Sequence, residues 1–167
     1  DNVSVNKEEA YRLTITPKAI TVEAVAERGV YWAMQTLYQL KEEKGKKIRL
    51  QCATITDWPA FRIRGFMQDV GRSYLSLEEL KREIAILSRF KINTFHWHLT
   101  ENQAWRLESK IFPMLNDSTN MTRMAGKYYT LEEARELTEF CKAHQVLLIP
   151  EIDMPGHSAA FIRTFRH

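Results

Sequence analysis

Thr130-Leu131-Glu132-Glu133-Ala134-Arg135-Glu136-Leu137, continued to Cys141 and then to Val146-Leu147-Leu148-Ile149-Pro150-Glu151-Ile152-Asp153, spells a capped helix that runs into a strand. Thr130 and Glu133 have the spacing of a capping box, in which each side chain satisfies the other's backbone amide. Ala134, Leu137 and Cys141 recur at helical spacing and are predicted to face a core. Residues 146–152 form an almost continuous apolar run, the kind buried on both faces in a parallel sheet.

The same grammar extends toward the N-terminus. A strand is predicted over residues 63–70. Ser76 and Glu79 offer a second capping box, with Leu77, Leu80, Ile84 and Leu87 as the apolar stripe behind it. Another strand is expected over residues 92–100, before a long loop holding Pro113, Asn116-Asp117-Ser118 and Gly126. Strand alternating with helix implies a parallel α/β architecture, either a doubly wound sheet or a barrel. No glycine-rich phosphate loop follows any of the strands, which argues against a nucleotide fold. In both architectures the chemistry collects at the carboxyl ends of the strands.

Ahead of Asp57-Trp58-Pro59 the pattern differs. Residues 11–16 and 19–25 alternate as strands around a Pro17-Lys18 turn. Residues 29–44 read as a helix with Val30, Ala33, Leu37 and Leu40 on one side and Gly45 as its stop, and residues 48–55 as a further strand. Residues 1–57 are thus expected to form a small β-β-α-β accessory unit of α+β type, incomplete at its start, with residues 58–167 beginning the α/β part.

Composition narrows the function classes. With 44% hydrophobic and 27% charged residues the chain is ordinary globular material. A net charge of +3 without any Lys/Arg run makes nucleic acid an unsuitable partner. No apolar run approaches the ~18 residues of a membrane span, and the N-terminus lacks a signal-peptide pattern. Cys52 and Cys141 are too few and too far apart for a disulfide framework and are expected to be buried thiols.

The predicted strand ends are unusually polar. The first carries Asp69 and Arg72, the second His96, His98, Thr100, Glu101 and Asn102, and the third Glu151, Asp153 and His157. Alternation puts His96 with His98, and Glu151 with Asp153, on one face. Buried carboxylates need partners, so these groups form either a satisfied structural network or a site. One chemistry open to them is a metal-dependent hydrolase, with His96-x-His98, Asp153 and His157 as nitrogen and oxygen ligands. Trp97 alternates with Phe95 and Leu99, and both Trp97 and Trp105 are expected to be core.

Three stretches resemble one family. Arg64-Gly65-Phe66-Met67-Gln68-Asp69-Val70-Gly71-Arg72, His96-Trp97-His98-Leu99-Thr100-Glu101-Asn102-Gln103-Ala104-Trp105-Arg106 and Pro150-Glu151-Ile152-Asp153-Met154-Pro155-Gly156-His157-Ser158 are similar, in order, to the first three barrel strands of the β-N-acetylhexosaminidases of glycoside hydrolase family twenty. The resemblance runs from about Trp58 onward, and the preceding unit looks like that family's accessory domain. It implies a (β/α)8 barrel of which this chain holds the first three strands.

The resemblance also implies roles. Arg72 stands where the family hydrogen-bonds hydroxyls of the terminal sugar, which suits a planar guanidinium. His157 matches a histidine linking the second-strand carboxylate, here Glu101, to the general acid. Asp153, and with it Glu151, matches a supporting carboxylate near the catalytic pair. The chain departs from the family at Glu101-Asn102, where two aspartates are usual. The implied reaction is retaining hydrolysis in which the substrate's own 2-acetamido carbonyl is the nucleophile. The Asp-Glu pair that polarises that amide and protonates the leaving oxygen belongs on a fourth strand, and no Asp-Glu dipeptide occurs in this sequence. The chain alone is therefore expected to be inactive and to self-associate through uncovered apolar faces. A non-catalytic carbohydrate-binding piece is the other reading. The implied partners are N-acetylglucosamine- and N-acetylgalactosamine-containing glycans, with no cofactor and no metal, and the implied location is periplasmic or secreted.

Overall fold

The computed structural model describes residues 7–165. They fall into two compact units, residues 7–64 with Ser88–Lys91, and Gly65–Leu87 with residues 92–165.

In the first unit, β1 (Tyr11–Ile15) and β2 (Ile20–Ala24) form an antiparallel hairpin. Its turn is closed by Thr16, whose amide donates to the Ala19 carbonyl at 2.9 Å and whose hydroxyl accepts from the Ala19 amide at 3.0 Å. Helix α1 (Glu27–Gln39) follows. The helix was expected to continue to Lys44, but the apolar period ends at Leu40. Residues 42–49 instead form a second hairpin, β3 (Glu42–Lys44) and β4 (Lys47–Arg49), turning at Gly45 with φ 63°. That left-handed conformation suits glycine in a tight turn. The single strand expected over residues 48–55 is accordingly two, β4 and β5 (Ala53–Asp57), the latter pairing antiparallel with β1. Alternate β1 residues Tyr11, Leu13 and Ile15 are buried with Trp32 and Ala33 of α1. Cys52, expected to be buried, is exposed just before β5.

The second unit is built on three parallel strands, β6 (Gly65–Asp69), β7 (Thr94–His98) and β8 (Leu147–Glu151), with β7 in the centre. Helices α2 (Leu77–Arg89) and α3 (Leu131–Ala143) are the crossovers. Both predicted capping boxes are present. Glu79 Oε2 accepts from the Ser76 amide at 2.7 Å, and Glu133 Oε2 from the Thr130 amide at 2.8 Å. Both helices also end alike, through left-handed residues that are not glycine: Lys91 (φ 60°) and Gln145 (φ 55°). The Ile92 amide then returns to the Leu87 carbonyl and the Val146 amide to the Cys141 carbonyl, which is the Schellman closure. One face of β7 (Phe95, Trp97, with Leu99 beyond it) is sealed against Leu80, Ile84, Leu137 and Cys141. Burial pushes the Cys141 thiol up to about 12.

Strand β8 departs from expectation. Leu147 and Ile149 are exposed, because register puts them on the face of Thr94 and His96, opposite the face of Phe95, Trp97 and Leu148 that packs into the core. Trp97 is buried as expected, whereas Trp105 is half-buried, its indole N–H donating to the Leu107 carbonyl and its ring beside Phe161. Phe161 lies on α4 (Ala159–Phe165), a short helix not foreseen in the sequence. The long loop after β7 is organised around Arg106, which is fully buried and donates to five carbonyls: Val70 (3.1 Å), Gly71 (3.2 Å), Arg123 (2.8 Å), Met124 (3.0 Å) and Lys127 (2.6 Å).

Candidate functional site

Register brings the polar strand ends together. Asp69, His98 and Glu151 are lateral neighbours across β6, β7 and β8. The turn after β6 then supplies Gly71 and Arg72, the turn after β7 supplies Thr100 to Asn102, and the turn after β8 supplies Asp153 to His157. These turns are stitched to one another. The Asp153 amide donates to Thr100 Oγ1 at 3.0 Å, and the Ala159 amide donates to Asn102 Oδ1 at 3.2 Å. Gly71 is needed because a Cβ there would lie 2.5 Å from the Cβ of Glu101. That absent methyl lets the Glu101 turn close over the end of β6.

Glu101 is the centre of the cluster, with a side chain only 1% exposed. Three basic side chains face its Oε2: Arg72 at 2.7 Å, His157 Nδ1 at 2.5 Å and His98 Nε2 at 3.5 Å. Its Oε1 accepts from the Asn102 amide at 2.8 Å. Burial alone would raise the Glu101 carboxyl. The Asn102 amide, His157 and the Arg72 charge together overcome that and hold it below the usual carboxylate value. Reciprocally, the ion pair with Glu101, followed by the more distant Asp153, raises the His157 imidazole above its ordinary value.

The remaining groups form an outer ring. Arg72 is bridged to Asp69 at 2.6 Å, and the Arg72 amide donates to the same carboxylate at 3.0 Å. His157 Nε2 stands 4.0 Å from Asp153. Glu151 contacts both His96 and His98 Nδ1, the latter at 3.0 Å. Burial would raise the Glu151 carboxyl, but its two histidines bring it below the usual range, His98 most strongly.

The sequence-derived candidates Arg72, Glu101, Asp153 and His157 therefore do converge. The metal set considered from sequence, His96 and His98 with Asp153 and His157, is not what assembles. Among the described residues the group of potential ligands is His98, Glu101 and His157, with ligand atoms within 4.8 Å of one another. His96 turns to Glu151 instead. The bridging place of Glu151, the Asn102 contact and the steric need for Gly71 were missed, since they follow from cross-strand register and close approach. Chemically, the cluster offers an exposed guanidinium and an exposed imidazole held against a buried carboxylate. Such groups can bind hydroxyls and orient a proton carrier.

Comparison with known proteins places these features. Residues 61–166 match the family model for glycosyl hydrolase family 20, catalytic domain, and residues 1–58 that for its domain 2. A beta-hexosaminidase of Porphyromonas gingivalis is 39% identical over 95% of this chain and 22% of its own length. One from Vibrio furnissii is 38% identical over 93% of this chain and 28% of its own length. The chain thus spans about a quarter of the length of these relatives. Among solved structures, a beta-N-acetylhexosaminidase from Bacteroides fragilis superposes with a TM-score of 0.89 at 35% identity, over 96% of this chain and 34% of that one. An exo beta-N-acetylglucosaminidase from Vibrio harveyi, in complex with N-acetylglucosamine, gives 0.88 at 36% identity, over 96% and 28%.

Proposed function

The chain belongs to glycosyl hydrolase family 20, and from that premise we propose that the whole protein removes terminal β-linked N-acetylhexosamine from glycans by substrate-assisted retaining hydrolysis. The observation that carries this reading is the buried Glu101 carboxylate gripped by Arg72 and His157 at the carboxyl ends of parallel strands. In that reading β6, β7 and β8 are the first three strands of an eight-stranded barrel. Residues 1–57 are the accessory domain.

Each side chain then has a task. Arg72, pinned by Asp69, presents guanidinium N–H groups to sugar hydroxyls. His157 uses Nδ1 to hold Glu101 and leaves Nε2 to engage the general acid. Asp153 stands 4.0 Å from that nitrogen and favours its protonated form. Glu151 braces His98 against the other side of Glu101. None of these groups is the acid or the amide polariser, so in this reading the 167-residue chain by itself binds at most weakly and turns nothing over. The relatives' names support N-acetylhexosamine-containing glycans as substrates; a periplasmic or secreted location is part of the same proposal and rests on the family resemblance alone. Isolated, the chain self-associates through exposed Phe66, Met67, Leu147 and Ile149 on its edge strands. Light scattering should show species larger than a monomer, and a monodisperse monomer removes that part of the proposal.

The activity test uses release of chromophore from an aryl N-acetyl-β-glucosaminide. The whole protein should release it and the 167-residue chain should not. Arg72→Ala in the whole protein should lower kcat/KM by roughly ten- to a hundredfold, the worth of a hydrogen bond to a charged group. Turnover by the short chain, or an inert whole protein, overturns the reading.

A further inference from the structure

We propose that His98, Glu101 and His157 also form a binding site for a single divalent transition-metal ion of the zinc type, and that the ion and the Arg72–Glu101 contact exclude each other. Bonds of about 2.0–2.2 Å to a tetrahedral zinc ion put its ligand atoms roughly 3.3–3.5 Å apart. His98 Nε2 and Glu101 Oε2 already stand 3.5 Å apart. His157 Nδ1 lies 2.5 Å from the same oxygen, and all three ligand atoms fall within 4.8 Å of one another. An outward swing of His157 by about an ångström would complete the three-ligand triangle set by those bond lengths. That side chain is 41% exposed, so it has room to move and to leave a fourth position open to water.

Two further observations point to an ion. His98 is 3% exposed, yet among the described residues its Nε2 finds no hydrogen-bond partner, the nearest acceptor being Glu101 Oε2 at 3.5 Å. A buried imidazole nitrogen left 3.5 Å from a carboxylate oxygen is the spacing that a shared central ion would produce. Behind His98, Nδ1 faces Glu151 at 3.0 Å. A carboxylate behind a ligating imidazole is the arrangement that fixes metal-bound histidines. Two nitrogens with one oxygen favour zinc and its neighbours over calcium or magnesium, which prefer oxygen alone.

Arg72 opposes the ion, since its guanidinium shares Glu101 Oε2. It is 45% exposed and keeps Asp69 at 2.6 Å, so it can release Glu101 without losing its other partner. Any function that uses Arg72 and Glu101 together is then inhibited by the ion. The site requires no part of the sugar reading and stands or falls separately from it.

The test is titration calorimetry of the purified 167-residue chain with zinc chloride, alongside visible absorption with cobalt(II). One ion per chain is expected. His157→Ala should weaken binding by at least about tenfold, given that even outer partners of a metal site are worth 10–100-fold. Because His157 is exposed, that variant should fold, whereas His98→Asn at a buried position needs a circular dichroism control. His144→Ala, on a helix end away from the cluster, should bind as the unmodified chain does. Absence of saturable binding, equal affinity in His157→Ala, or loss of binding in His144→Ala overturns the proposal.

Discussion

Glu101 and Arg106 leave the same strand end, and both charges are sealed from solvent, but the molecule satisfies them in opposite ways. Glu101 is met chiefly by side chains, Arg72, His157 and His98, two of them reaching into solvent, with a single backbone amide, that of Asn102, on its other oxygen. Arg106 is met by backbone carbonyls drawn from the end of β6 and from the loop at residues 123–127. A charge held by movable, titratable partners can change its contacts and its protonation. A charge held by fixed neutral dipoles cannot, and serves to lock loops in place. The first region is built to respond and the second to stay, even though Arg106, through the Gly71 carbonyl, helps fix the very turn that carries Arg72.

The largest effect should come from breaking the rigid half. Arg106→Met leaves five carbonyls without their donor, in a region where burial already lowers the Arg106 value and disfavours any charge. At about 1–3 kcal/mol for each group left unpaired, with partial relaxation, the loss should reach about 3–5 kcal/mol. Urea denaturation of the variant should show an early midpoint or no cooperative transition. If stability instead falls by less than Glu101→Gln causes, the contrast between the two regions collapses.

Glu101→Gln should be milder, on the order of 1–2 kcal/mol, since Arg72 keeps Asp69 and His157 keeps water. Its signature is in pH. The His157 value is raised in the folded protein, so its contribution is full below the ordinary histidine value and disappears as pH rises through the raised one. The Glu101 value is lowered, so its contribution is full above the ordinary glutamate value and disappears as pH falls through the lowered one. The stability gap between the native chain and Glu101→Gln should therefore be widest between the two ordinary values, about 4.3 and 6.5, and narrow on both sides. A gap that narrows only on the acid side, with no change as pH rises through the His157 value, would mean that the carboxylate is held by its Asn102 amide bond and not by His157.

The same division explains what could be seen in the sequence. The Thr130–Glu133 and Ser76–Glu79 caps, the alternation of Tyr11, Leu13 and Ile15, and the buried face of Phe95 and Trp97 are local patterns, so they were legible. The polar strand ends were legible for the same reason, while the choice of Arg72, Glu101, Asp153 and His157 among them rested on the resemblance of three motifs to one family. Long-range facts were not. Arg106 draws its carbonyls from separate segments, and Glu151 reaches His98 only through parallel register. Helix ends at Lys91 and Gln145 carry no glycine to announce them. The β3–β4 hairpin hid behind a helical run whose charged tail could be read either way, and the exposure of Leu147 and Ile149 depends on what covers the sheet face opposite α2 and α3.

The smallest expected effect tests how far the responsive region extends. Asp153 is 4.0 Å from His157 Nε2, beyond hydrogen-bond reach and partly open to solvent, so it acts on the imidazole through space. Screening by water weakens such an influence. Asp153→Asn should thus lower the His157 titration midpoint, followed by NMR of its ring protons, by clearly less than Glu101→Gln does, and added salt should shrink the difference further. The backbone amide of residue 153 still donates to Thr100 Oγ1, so the turn itself should survive the change. A shift as large as that from Glu101→Gln would make Asp153 an equal partner. His157 would then be a cation shared between two carboxylates, and the responsive region would extend through the whole turn after β8 rather than centre on one buried glutamate.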